Sequence, residues 1–255
     1  MPRSILTLIC TLVLGLAALA TAPAAEDIRY PGHVQTETQK EAWRIGWPQL
    51  HGPFCNGTTI DGGYQLISKI SDMRKVWESE AYVPPSSHHG IRPGFASPVV
   101  ANGRVYVYFT WPSGLSTNPA EVSKEQAKAL DTGRRDRTDR SDKPGDDHVL
   151  CIDALTGKTI WHRVFEGQGD TLLGSGKGGG HGTMCVKDGR AYAFGMAGWI
   201  YCLDAVSGET LWAEHKHPDA HSPNATPFVA ENVLVYRHGQ TLFGYRVDTG
   251  EQIWS

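Results

Sequence analysis

Trp161, Trp212 and Trp254 each stand four residues after a glycine, namely Gly157, Gly208 and Gly250. The stretches around them, CIDALTGKTIW, CLDAVSGETLW and YRVDTGEQIW, share a small hydroxyl residue, that glycine, an Ile or Leu, and then the indole. Tryptophan is too uncommon for three copies in one frame to be accidental. The chain is therefore a repeat protein, and its fold has to be read one unit at a time.

A second shared block precedes each of these: SPVVANGRVYVY from Ser97, TMCVKDGRAYAF from Thr183 and TPFVAENVLVYR from Thr226. Each predicts a strand, a tight turn at Asn102-Gly103, Asp188-Gly189 or Glu231-Asn232, and a second strand. The Thr/Ser-Gly pair then turns a third strand into a fourth, with glycine supplying a positive φ. The tryptophans recur after 51 and then 42 residues, close to the roughly 40–50 residues of a propeller blade. Strands such as RVYVYF are apolar on both faces, which suits a sheet sandwiched between neighbours. The expected fold is all-β: a β-propeller of four-stranded antiparallel blades, with about three to four blades in this chain. MRKVWESE, with Trp77, reads as the last strand of an earlier blade.

From about Ser97 onward these motifs resemble the pyrroloquinoline-quinone (PQQ) repeat propellers, whose signature is a strand running into ALDAxTGxxxW, and CLDAVSGETLW matches it best. The resemblance implies that the fourth-strand tryptophan docks against the next blade, a role carried here to Trp161, Trp212 and Trp254. Arg246 departs from the pattern where the other copies have Asp153 and Asp204, so a turn held differently is expected there. WPQLHGPFCNG, Trp47 to Gly57, resembles the segment that opens exported members of the family. Closed propellers take about four to eight blades, so this chain reads as an incomplete ring. The open face of such a ring favours self-association.

Arg3, an apolar run from Ile5 to Ala20 and the small residues Ala22-Pro23-Ala24 predict a secretory signal peptide over residues 1–24. That run is shorter than the roughly 20 residues of a spanning helix, so the expectation is an exported protein, periplasmic or extracellular, without a membrane span. Residues 25–60 form an N-terminal lead-in and 61–255 the partial propeller, with an insertion at 110–147. Without the leader, 23 basic residues face 27 acidic ones, which argues against nucleic acid as a partner. Cys151 and Cys202 hold equivalent places in neighbouring blades, about 10 Å apart and beyond the roughly 7 Å reach of a disulfide. Cys185 and Cys202 lie two strand spacings apart, so all three read as buried thiols; the state of Cys55 is left open.

GSGKGGGHG, Gly174 to Gly182, contains a G-x-G-x-x-G match, but a hairpin follows it and not a helix, and Lys177 is followed by Gly178. It reads as a connector. In a propeller such connectors share one face of the ring with the loops joining strands two and three. That loop face would carry His215 and His217 together with the ligand candidates His88, His89, His181, His221 and His238. Imidazoles so placed can hold a metal or an anionic ligand. The plainer reading, water-exposed loop histidines, is favoured because no short-range ligand spacing accompanies them. Within the insertion, Pro119 and AEVSKEQAKAL predict a helix over 120–130. RRDRTDRSDKPGDD follows and lacks a calcium-loop spacing, so it reads as a solvated excursion or a partner-binding arm.

Two functions follow from the resemblance. The favoured one is an exported binding or scaffold module that takes a protein partner or small ligand on its loop face, with no cofactor and no catalytic residue assigned. The other is part of a PQQ-dependent alcohol or sugar dehydrogenase. That activity implies PQQ and calcium, an adjacent Cys-Cys pair against the quinone, a tryptophan opposite, and an aspartate base. No two cysteines are adjacent in this sequence.

Overall fold

The computed structural model describes residues 37–54, 57–59, 68–81, 96–118, 121, 123, 125, 144–170, 182–195, 197–217 and 226–255. The predicted signal peptide, His88, His89, His181, His221, Cys55, eight of the eleven residues of the 120–130 helix and the body of the glycine-rich connector lie outside these residues. The described chain forms three four-stranded antiparallel sheets in simple meander order. The first blade comprises β1 (Val99–Ala101), β2 (Arg104–Pro112), β3 (Pro144–Asp153) and β4 (Thr159–Asp170). The second comprises β5 (Cys185–Lys187), β6 (Arg190–Phe194), β7 (Trp199–Asp204) and β8 (Thr210–His215). The third comprises β9 (Phe228–Ala230), β10 (Val233–His238), β11 (Thr241–Arg246) and β12 (Gln252–Trp254). First strands touch first strands, β1 with β5 and β5 with β9, so they line the common axis. The fold is a partial β-propeller, as its repeats require.

Local chemistry sets each blade. The first hairpins turn where Asn102, Asp188 and Glu231 adopt φ of 48°, 50° and 52°, the left-handed geometry that matches strand twist in tight hairpins. The third-to-fourth turns are superposable in their hydrogen bonds: Gly157, Gly208 and Gly250 donate to the carbonyls of Asp153, Asp204 and Arg246, each at 2.9 Å. Asp153 Oδ1 also accepts from Thr156 N at 2.8 Å, and Asp204 Oδ1 from Ser207 N at 2.7 Å. Arg246 cannot accept, and its guanidinium pairs instead with Asp248 at 3.2 Å. The third turn thus keeps the backbone of the others with a different side-chain brace.

The blades meet through two apolar seams. In the first, Tyr106, Tyr108, Val149, Cys151 and Trp161 pack against Ala191, Ala193, Tyr201 and Leu203. In the second, Tyr192, Phe194, Ile200 and Cys202 pack against Leu234, Tyr236 and Tyr245. One docking geometry recurs along the ring. Trp77 Nε1 donates to Ala154 O at 2.9 Å, Trp161 Nε1 to Ala205 O at 3.3 Å, and Trp212 Nε1 to Val247 O at 3.1 Å. Each ring lies flat on the glycine of the neighbouring turn, so that a Cβ on Gly157, Gly208 or Gly250 would come within 2.7, 2.5 or 2.8 Å of it. The glycine is needed twice over, for a left-handed φ of 71–73° and for the indole above it.

Two features depart from the sequence reading. The insertion expected at 110–147 is narrower, because β2 continues to Pro112 and β3 begins at Pro144; the apolar run FTWP prolongs the ladder. The lead-in contains a helix, α1 (Glu37–Ile45), braced by Lys40–Glu37 and Arg44–Glu41 pairs. After it, Trp47 exchanges two backbone hydrogen bonds with Val100 of β1, at 2.7 and 2.9 Å, and Pro48 O accepts from Val186 N of β5 at 2.8 Å. The lead-in is a strap across the axial edges of two blades. Gly208→Ala is expected to lower unfolding free energy by about 2 kcal/mol or more, combining left-handed strain with the clash on Trp161. Urea denaturation of the two proteins measures this.

Candidate functional site

The loop-face ends of the seams hold a buried carboxyl and a buried imidazole, Asp147 and His217. At the first seam Asp147, near the start of β3, is fully buried. Its Oδ1 accepts from Tyr108 Oη at 2.8 Å and Thr110 Oγ1 at 2.6 Å, while Oδ2 accepts from Tyr201 Oη of the second blade at 2.9 Å. Gly169 and Gly195 close the cradle, and a Cβ on either would strike the carboxylate. Burial pushes the carboxyl up to about 6 against the three stabilising hydroxyls. Phe165 stacks on Tyr201 at 4.1 Å, and Trp199 continues the row to His215, parallel to it at 4.8 Å.

At the second seam His217 is buried beyond the end of β8, its Nε2 2.7 Å from Tyr245 Oη. Its ring stacks on His238 at 4.7 Å and meets the edge of Phe243. Burial, then His238 and Lys216, bring its pKa down to about 4. On the opposite side of the first blade, His148 Nδ1 lies 3.0 Å from His162 Nε2, and its ring stacks on Phe109 at 4.7 Å. Burial, reinforced by His162, also brings His148 down to about 4. These rings therefore act as neutral hydrogen-bonding plates at neutral pH.

Of the histidines singled out from sequence, the described residues hold His215, His217 and His238. The structure brings all three to the loop-face ends of the second and third blades, with His217 between the other two along the chain and stacked on His238. Trp161 and Trp212 lie across seams. Trp254 is 42% exposed and lies over Gly244 of its own sheet, which also exposes Leu242 and Phe228. Cys151, Cys185 and Cys202 are buried and outside any disulfide, and burial pushes the Cys151 and Cys202 thiols up to about 12. Asp147 was invisible in GDDHV, which looks like a solvated turn until β2 and β3 are seen to extend past it. His217 follows the end of a strand and gives no signal of its burial.

Residues 145–255 match a PQQ-repeat family profile described as outer membrane protein assembly factor BamB. The second half of the chain, from Gly145 onward, is thus similar to the PQQ-repeat propellers. A quinohemoprotein alcohol dehydrogenase of Comamonas testosteroni is 34% identical over 68 residues, 26% of this chain and 10% of that protein. The crystal structure of quinohemoprotein alcohol dehydrogenase from Comamonas testosteroni is similar at 17% identity with a TM-score of 0.47, over 85% of this chain and 28% of that one. BamB from Moraxella catarrhalis is similar at 18% identity with a TM-score of 0.32, over 44% of this chain and 32% of that one. The chain thus spans about a tenth of the length of the curated relative it matches.

Because the folded pKa values of His148 and His217 lie below the unperturbed 6.5, each stabilises the fold above that value. That contribution is lost as pH falls toward about 4, where the unfolded chain takes up protons first. His217→Gln, which keeps an acceptor for Tyr245, is expected to lose less stability than the wild type between pH 7 and pH 5. Urea midpoints of both proteins at the two pH values test this.

Proposed function

We propose that this chain is part of an exported PQQ-type propeller that works as a binding or scaffold module, offering its loop face to a protein partner or small ligand. The observation that supports this reading is where the loop-face polar groups are engaged. Asp147 holds Tyr201 and His217 holds Tyr245 across the seams, and His148 meets His162 within the first blade; among the described residues these groups are engaged in separate structural pairs. The match to a profile described as an assembly factor agrees with it. His88, His89, His181, His221 and His238 stay as the proposed ligand face, and Trp254 as the proposed docking residue of the third blade.

The second reading, part of a PQQ-dependent alcohol or sugar dehydrogenase, draws on the 68-residue similarity to such an enzyme. When bound, PQQ would accept the electrons of alcohol oxidation and calcium would polarise its carbonyl. The residues described do not fit that pair. The three cysteines stand apart in the blade cores with their thiols held protonated. Among the described residues, no three His, Cys, Asp or Glu side chains are grouped as metal donors. Asp147, the buried acid closest to the loop face, is enclosed by Tyr108, Thr110, Tyr201 and two glycines.

Titration of the purified protein with PQQ and calcium, followed by gel filtration and a dye-linked alcohol assay, separates the readings. A binding module is expected to emerge without a quinone chromophore and without dye reduction. Retained quinone with alcohol-dependent turnover would establish the dehydrogenase instead.

A further inference from the structure

The first seam contains a group whose chemistry exceeds what docking requires. Asp147 is fully buried, yet the donors that meet it, Tyr108, Thr110 and Tyr201, are neutral hydroxyls. Among the described residues, the elements packed around it present uncharged faces: Tyr108 and Thr110 from β2, Gly169 from β4, Gly195 from the β6–β7 turn, and Tyr201 from β7. On its own strand, Asp146 adds a like charge that opposes ionisation, and His148 is engaged with Phe109 and His162. An ionised carboxylate buried without a cation carries a large desolvation cost. An asparagine could bridge the same hydroxyls without it. What a carboxyl adds is the capacity to take up a proton, and each surrounding hydroxyl can accept as well as donate. The cluster can therefore close around either form.

We propose that Asp147 is a proton-binding latch at the loop-face end of the first seam: it takes a proton from solvent in mildly acidic conditions and then holds β7 against β3 more firmly than the ionised carboxylate does. The latch sits where β2 ends, β4 ends and the β6–β7 turn begins, so proton uptake acts on the rim from which the connections of these blades leave. The direction follows from linkage. The folded pKa, about 6, is raised above the unperturbed 3.8, so the stabilisation is complete below 3.8 and is lost as pH rises through about 6. This is opposite in sign to the contributions of His148 and His217.

The full chain and its Asp147→Asn variant share those histidines, so their comparison isolates the latch. The ratio of their unfolding constants in urea is expected to shift by about tenfold between pH 7.5 and pH 5, in favour of the wild type at pH 5. A protonated carboxyl band in the infrared spectrum is expected to appear in the wild type with a midpoint near 6 and to be absent from the variant. Tyr201→Phe, which removes a donor to the ionised form, is expected to move that midpoint upward, a change that a merely structural role would not produce. The infrared titration of the wild type and Tyr201→Phe decides the matter even if Asp147→Asn does not fold. A pH-independent ratio, or a carboxylate that stays ionised to pH 4, would overturn the proposal.

Discussion

An indole laid on a left-handed glycine, with its N–H on a carbonyl of the same turn, is the contact on which this propeller depends. It does three things at once. It buries one of the largest side chains available, it satisfies the donor that such burial would otherwise strand, and it fixes how one sheet's outer strand sits against the next blade's turn. Because glycine and tryptophan belong to the same short turn-and-strand unit, each blade carries both halves of the contact, a socket toward the preceding blade and a plug toward the next. Repetition of the sequence then becomes repetition of the structure with no further instruction.

The seams are built in two zones. Near the outer turns they are held by the indoles and by aliphatic packing, which respond little to solution conditions. Toward the loop face they pass to phenols held by ionisable partners, Tyr201 by Asp147 and Tyr245 by His217. The two partners respond to acid in opposite senses, the carboxyl favouring the folded seam once protonated and the imidazole disfavouring it. One rim of the ring thus carries nearly all of the chemical responsiveness, while the docking zone stays inert.

What could be read from sequence was whatever the repeat makes local. The Gly–Trp spacing, the positions of the hairpin turns, and the equivalence of Cys151 with Cys202 are short-range patterns, and each has one stable geometry. Arg246 could be recognised as a departure for the same reason, since the turn it enters is complete within six residues. Asp147 was not legible, because its significance depends on Tyr201, 54 residues later in the chain, and on strands that outrun the expected insertion boundary. His217 depends likewise on Tyr245 across a seam. The axial strap was only half legible: the resemblance of WPQLHGPFCNG marked the segment, but nothing in it names Val100 or Val186 as hydrogen-bond partners.

That strap bears on how the molecule is made. Trp47 and Pro48 leave the ribosome long before Val186, to which Pro48 is bonded in the finished fold. Until Val186 is made, the strap can be bonded only at Val100 of the first sheet, and its hold across the axial edges is incomplete. The strap therefore completes its bonding only after the second blade has been made, although it is synthesised before either blade.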